Sequence, residues 1–296
     1  MNARILSFWL LLSLTLSGLS ACRETLVGVP DIDFPPRLVV GCFIDPSYDT
    51  LTASLSLSMP LYEAGNEDDF RGISDGLIVL EGAGQVDTFL YDALRRHYRL
   101  PATAVPILPD STYSLKIYRS RSGSQLLAQA RCTVPPLRNP QLQLTAERDS
   151  SAPTPFYREF VNLDVRWPAQ SSTERYFRML YGLKHRSAAD SAISWINDAP
   201  GKPQVFTGTD ATNGWIRVSD RFVFWGWGSP GTGTSRAIVC LQETDVHAFR
   251  YLNALNAQIN QPPGPFQEGV LLYSNIEGGL GCFGASNTYY TESPDL

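Results

Sequence analysis

The chain has 296 residues, of which 43% are hydrophobic and 18% charged, and its formal net charge is −5. The length allows two domains with real cores, and the apolar content is that of an ordinary globular protein. An acidic balance makes nucleic acid an unlikely partner, because phosphate binding calls for clustered Lys and Arg.

The chain opens MNARILSFWLLLSLTLSGLSAC, with Arg4 ahead of an uncharged apolar run from Ile5 to Leu16. That run is too short to span a bilayer comfortably and reads as an export signal over residues 1–21. Leu19, Ser20, Ala21 and Cys22 then form a lipobox: a leucine, two small residues that a peptidase groove admits, and a thiol able to take a diacylglyceryl group. The mature chain is expected to begin at lipidated Cys22 and to be held on a membrane, each buried methylene contributing about 0.8 kcal/mol. Residues 22–36, with three prolines and no sustained period, read as the lipidated N-terminus and an extended tether.

The folded part is expected from Arg37. LVVGCFI has strand composition, and LTASLSLSM alternates, with Leu51, Ala53, Leu55, Leu57 and Met59 on one face. Further strands are expected at LIVLEG, TFLYD, TYSLKIYRS and LLAQARCTV, separated by Gly, Pro, Asp and Ser. The spacing predicts an immunoglobulin-like β-sandwich over 37–135. The acidic run Glu63 to Asp69 lacks the ligand order of a calcium loop and reads as solvated.

Pro135, Pro136 and Pro140 mark a boundary, and a second β-sandwich-like domain is expected over 138–296. In it Val161, Leu163, Val165 and Trp167 alternate with Asn162, Asp164 and Arg166, and Phe177, Met179, Tyr181 and Leu183 repeat the pattern. RFVFWGW and RAIVCLQE flank GSPGTGTS, which lacks the lysine of a phosphate-binding loop and reads as a strand connection. One segment, TDVHAFRYLNALNAQI, carries Ala248, Phe249, Leu252, Leu255 and Ile259 at helical spacing, with Thr244 or Asp245 as N-cap. It predicts a single amphipathic helix packed on the second domain.

Cys42, Cys132, Cys240 and Cys282 remain after Cys22 and would meet an oxidising compartment. Position along the chain suggests disulfides Cys42–Cys132 and Cys240–Cys282, each bracketing one domain, the alternative being four buried thiols. Near the end, Gly279, Gly281 and Gly284 spell the G-x-G-x-x-G of a dinucleotide site. That fingerprint needs a following helix and an acidic residue roughly twenty positions on, and only twelve residues follow Gly284, so the glycines read as turns, a bulge or close strand packing.

The lipobox, LVVGCFI, PDSTYSLKIY, ARCTVP and above all the ending PFQEGVLLYSNIEGGLGCFGA resemble domain-of-unknown-function family 4249, lipoproteins of the Bacteroidetes. The resemblance covers essentially the whole mature chain. It implies an outer-membrane lipoprotein, often encoded beside a TonB-dependent transporter, with no established activity. Surface export in that group often uses charged residues after the lipidated cysteine, and Arg23-Glu24-Thr25 matches in part.

Chemistry is sparse. His97, His185 and His247 are isolated and show no metal-ligand spacing, and no cofactor motif survives its context. Paired carboxylates for glycoside cleavage are a three-dimensional matter. All tryptophans beyond the signal, Trp167, Trp195, Trp215, Trp225 and Trp227, lie in the second half, where Trp167 is expected in the core. Trp225 and Trp227, beside the glycine-rich loop, are the expected contact surface. The reading is therefore a non-enzymatic, outer-membrane, cell-surface binding protein anchored through Cys22, without cofactor or metal, and an accessory subunit of a TonB-dependent transporter. Its ligand is unknown. The alternatives are a free-standing glycan- or peptide-binding module and a hydrolase with a dispersed site.

Overall fold

A computed structural model describes residues 35–58, 72–119, 125–136, 140–148, 158–169, 174–187, 191–195, 204–225, 233–260 and 271–296. Cys22, the acidic run 63–69 and Trp227 lie outside the described residues. The described chain is mainly β with sandwich-like sheets and one α-helix. Period-two alternation explains why: LVVGCFI becomes β1 (Leu38–Ile44) with every second side chain buried, and LTASLSL falls within β2 (Thr50–Leu57).

The first half continues through β3 (Leu77–Gly82), β4 (Gln85–Thr88), β5 (Leu90–Asp92), β6 (His97–Pro101), β7 (Thr112–Tyr118) and β8 (Leu126–Thr133). One sheet has the order β1-β2-β6-β5 and the facing sheet β4-β3-β7-β8. Leu51, Ile78, Leu80, Leu115 and Ile117 are fully buried between them. At the entry to β7 the Tyr113 hydroxyl donates to the Pro106 carbonyl at 2.6 Å and accepts from the Leu108 amide at 2.7 Å, pinning the preceding loop.

The second half comprises β9 (Gln143–Arg148), β10 (Arg158–Pro168), β11 (Tyr176–Ser187), β12 (Ser191–Trp195), β13 (Gln204–Thr207), β14 (Trp215–Trp225), β15 (Gly233–Thr244), α1 (Val246–Ile259) and β16 (Leu280–Glu292). A three-stranded sheet, β14-β10-β9, faces β11 and β15. The expected alternation is observed: Val161, Leu163, Val165 and Trp167 meet Phe177, Met179, Tyr181 and Leu183 in one core. Trp167 is fully buried, with the Phe177 and Phe206 rings edge-on at 5.8 and 5.5 Å.

The last strand belongs to both halves. Residues 280–285 of β16 pair in parallel with β1, and residues 286–292 pair antiparallel with β15, so one sheet runs β12-β11-β15-β16-β1-β2-β6-β5. Ile276, Phe283 and Ala285 therefore pack in the first core, although 138–296 was expected as a separate domain. The glycines permit this insertion. Gly281 has φ +107°, and a Cβ there would stand 1.9 Å from the Val40 carbonyl oxygen. At Gly284 a Cβ would stand 2.8 Å from that of Ala248, so the absence of a side chain lets α1 lie on the strand.

Polar contacts fix the same junction. Asn275 donates to the Phe283 and Arg131 carbonyls at 2.8 and 3.3 Å and accepts from the Phe283 amide at 3.0 Å. Gln129 and Glu277 exchange backbone hydrogen bonds of 3.0 and 2.8 Å, tying the segment before β16 to β8. Buried Asp45, just after β1, accepts from the hydroxyls of Ser286 and Thr288, each at 2.6 Å. Glu243 on β15 takes a two-point contact from Arg175 at 2.9 and 2.8 Å, and both side chains are largely withdrawn from solvent.

The helix begins where predicted, with Asp245 as N-cap accepting from the Ala248 amide at 2.8 Å, and it packs on β16, β11, β13 and β15 of the second half while also touching β1. Phe249 stacks on Tyr176 at 4.7 Å, while Tyr251 reaches Phe43 of β1 at 6.0 Å, because β16 brings β1 and β11 under one helix. The expected disulfides are corrected here: Cys42, Cys132, Cys240 and Cys282 are all buried thiols. Cys240 is in register with Tyr290, eight residues beyond Cys282. At roughly 3.3 Å per strand residue that offset is about 26 Å, far beyond the reach of a disulfide. Cys42 and Cys132 face the first core from opposite sheets without bridging.

Candidate interaction face

Of the residues singled out from sequence, Trp225 ends β14, and Cys22 and Trp227 lie outside the described residues. Burial pushes the Cys42 thiol up to about 12 and raises those of Cys132 and Cys282 too, so none is a ready thiolate. His97 Nδ1 lies 3.0 Å from the Arg95 carbonyl, and His247 Nδ1 lies 2.6 Å from the Tyr273 hydroxyl. Among the described residues no group of His, Cys, Asp and Glu could hold a metal ion. A groove of about 380 Å³ near His247 is lined by Asn275 and Glu277, both engaged in the junction described above.

Chemistry accumulates instead on the outer face of β14-β10-β9. Alternation sends the odd positions of β10 into the core, which leaves Asn162, Asp164 and Arg166 outside. Register then sets Asn162 beside Arg221 and Glu147, Asp164 beside Ser219 and Thr145, and Arg166 beside Arg217 and Gln143. All of these but Arg166 and Gln143 line an open groove of about 600 Å³.

Asp164 is the centre of its polar network. Arg217 grips one carboxylate oxygen through Nε at 2.8 Å and through Nη2, and the Ser219 hydroxyl donates to the same oxygen at 3.0 Å. The Arg217 guanidinium holds the Asp164 carboxyl below the usual carboxylate range, which makes it a poor general base. Arg166 donates from Nε to Gln143 at 2.6 Å and lies over the Trp215 ring at 5.4 Å. At the other end Arg221 lies over Phe160 at 4.6 Å. On the core side Tyr181 donates to Asp220, and burial, followed by that carboxylate, raises the tyrosine pKa well above its ordinary value.

The arrangement offers planar guanidinium groups, aromatic rings and hydrogen-bonding side chains to a ligand, without a nucleophile activated by a base. Asn162, Asp164 and Arg166 were legible as the polar side of β10. Trp215 was named only among the tryptophans of the second half, and Arg217, Ser219 and Arg221 were not singled out, although all four alternate in the same way along GWIRVSDRF.

The family described as Domain of unknown function (DUF4249) matches residues 24–292, and the chain belongs to that family. No curated protein matches the chain. Solved structures that match include a chain titled "Cytokine receptor complex - Crystal form 2", at 14% identity over 68% of this chain and 89% of that one, with a TM-score of 0.23. That likeness is too slight to define a shared fold. Among the described residues no helix is long and apolar enough to cross a membrane.

Proposed function

We propose that the protein is a lipid-anchored binding protein of the outer membrane, facing the cell surface, and an accessory subunit of a TonB-dependent transporter. The observation that carries the anchor is the sequence Leu19-Ser20-Ala21-Cys22 at the end of an export signal. Lipidation at Cys22 confines the protein to two dimensions and raises its effective concentration at a partner in the same membrane. Binding rather than catalysis is supported by the outer face of β14-β10-β9, where the central carboxylate is occupied by Arg217 and Ser219. The first half is read as an immunoglobulin-like module. Its sheet orders β1-β2-β6-β5 and β4-β3-β7-β8, and the Tyr113 hydroxyl bonded to the loop before β7, support that reading.

The test is purification of the natively lipidated protein in mild detergent, with identification of any protein recovered near one to one. A β-barrel transporter in that fraction is the expected result; recovery of the protein alone, even after crosslinking, would overturn the accessory role. Cys22→Ala is expected to release the protein into a soluble pool, and continued membrane retention of that variant would contradict the anchor.

A further inference from the structure

The β5–β6 hairpin ends in a firmly built turn that points an apolar side chain at solvent. Leu94, in the turn at 93–96, is 89% exposed, although leucine is ordinarily an interior residue. The backbone around it is pinned. Asp92 accepts from the amides of Leu94 and Arg95, both at 3.1 Å, and from Arg95 Nη1 at 3.0 Å, while Arg96 closes the turn at φ +55°. Asp92 also takes a contact of 3.4 Å from Arg99, so the one carboxylate of the hairpin is satisfied within it. Arg96 is exposed, and among the described residues nothing accepts from its guanidinium.

Register decides which way the tip faces. Tyr98 of β6 is level with Ala53 of β2, and Ala53 with Cys42 of β1. The tip precedes β6, so it projects past Ser54 toward Leu57, which is level with Leu38 at the start of β1. It stands two to three strand spacings from β1, about 12 Å. From Leu38 the chain runs back to Cys22, a contour of about 50 Å at most. The end of the first half that carries the tip is thus the end that receives the tether. In the facing sheet β4 runs from the level of Gly82 to that of Val79, toward Leu77, which is level with Tyr118 and through it with Leu126. Leu126 is therefore at the same end, 45% exposed, with exposed Arg119 beside Tyr118.

Exposed leucines among arginines on the tethered end fit a lipid surface. Leucine enters the acyl boundary of a bilayer, and a guanidinium on a long stem reaches the phosphate layer while its methylenes stay with the apolar chains. Leu94 and Leu126 stand on different sheets, not in the continuous patch of a protein interface, whereas insertion needs only points. Asp75 lies at this end as well, and the acidic run 63–69, between β2 and β3, lies outside the described residues. The contact is accordingly with phosphate groups, in zwitterionic and anionic lipids alike, and does not depend on net negative charge.

We propose that the β5–β6 tip docks on the phosphate-bearing lipid surface that holds the anchor, Leu94 entering the acyl boundary and Arg96 bonding to phosphate. Because β16 starts level with β1 and ends on β15, docking holds the second half away from the lipid. The proposal rests on the reading of Cys22 as the lipidated residue. One leucine and one arginine hold far more weakly than an acyl chain, so release of Cys22→Ala remains the expected result.

The experiment uses the full-length lipidated protein in vesicles of phosphatidylcholine and phosphatidylglycerol that carry a nitroxide-labelled lipid. Ala93→Cys bears an environment-sensitive fluorophore beside an intact Leu94. Val86→Cys, exposed on β4 toward the other end of the same edge, bears it as the control, and the native thiols Cys42, Cys132, Cys240 and Cys282 are buried. Quenching by the labelled lipid is expected at position 93 and not at 86. Adding Leu94→Ser should lower the docked-to-free ratio about tenfold, and adding Arg96→Gln about fivefold. A protein that does not associate with the vesicles at all would contradict the anchor, and the proposal with it. Association with equal quenching at 93 and 86 would overturn the docking alone. So would quenching at 93 that both variants leave unchanged, or that appears only when outer-membrane proteins are added, which would give the tip to a protein partner.

Discussion

The last strand and the outer face of β14-β10-β9 are built in opposite ways. Gly278, Gly279, Gly281 and Gly284 give the approach to β16 and its first half a visible local pattern, and that pattern is spent on packing. The face has no such signature, yet strand register sets Arg166, Arg217, Arg221, Asp164 and Trp215 on the same side of the sheet. A motif dense in glycine reports where backbones must approach closely. Chemistry dispersed over three strands becomes a site only when pairing brings its parts level. The sharpest way to break this contrast is to substitute in each region and ask whether folding or binding responds.

The largest effect is expected at Gly281. Gly281→Ala puts a Cβ into the Val40 carbonyl at a positive φ, and is expected to cost more than about 4 kcal/mol, read as loss of the cooperative unfolding transition in denaturant. A variant with an unchanged midpoint would return the glycines to a role outside the fold.

Asp245 comes next. Burial raises its pKa to about 6, against backbone amides of Ala248, Ala285, His247 and Thr133 that favour the anion. The native state therefore binds the proton more tightly than the unfolded chain. Stability is greatest below the unfolded value of 3.8, falls as pH rises toward about 6, and is level above that. The fall is about 3 kcal/mol, and Asp245→Asn is expected to flatten it whatever its constant offset, as denaturation at several pH values would record. A slope that survives in the variant would assign the effect elsewhere.

Asn275→Ala is smaller. It strands the Phe283 amide and carbonyl at the head of β16, and a loss of about 2 kcal/mol is expected from denaturant midpoints. The smallest effect belongs to the face: Arg166→Ala, on an exposed position, should stay within about 0.5 kcal/mol of the parent in the same measurement. A large loss there would mean that the arginine serves the fold and would blur the contrast.

Much of the fold was legible where periodicity was strong. The strands at 38–44, 50–57, 158–168 and 176–187 follow the alternation of their sequences, and the helix starts at its acidic cap because Asp245 can satisfy the first free amides. Strands such as His97–Pro101 and Gln85–Thr88 are too short for alternation to mark them. The parallel pairing of β16 with β1 escaped reading because it joins residues some 240 positions apart, and no local propensity encodes such a contact. The disulfide expectation failed for a related reason: order along the chain does not reveal that Cys240 lies level with Tyr290. The face was half visible, since the polar side of β10 could be read from one strand but its partners on β14 only from register.

The central claim is that β16 joins the two halves into one cooperative structure while the outer face of β14-β10-β9 is left free to bind. Native-state hydrogen exchange over residues 280–292 tests it most directly. The account predicts that amides in 280–285, bonded to β1, and in 286–292, bonded to β15, open with the same free energy as the core strands β2 and β11. Exchange of 280–285 far ahead of both cores would contradict it, because the strand would then be resting on a fold that stands without it.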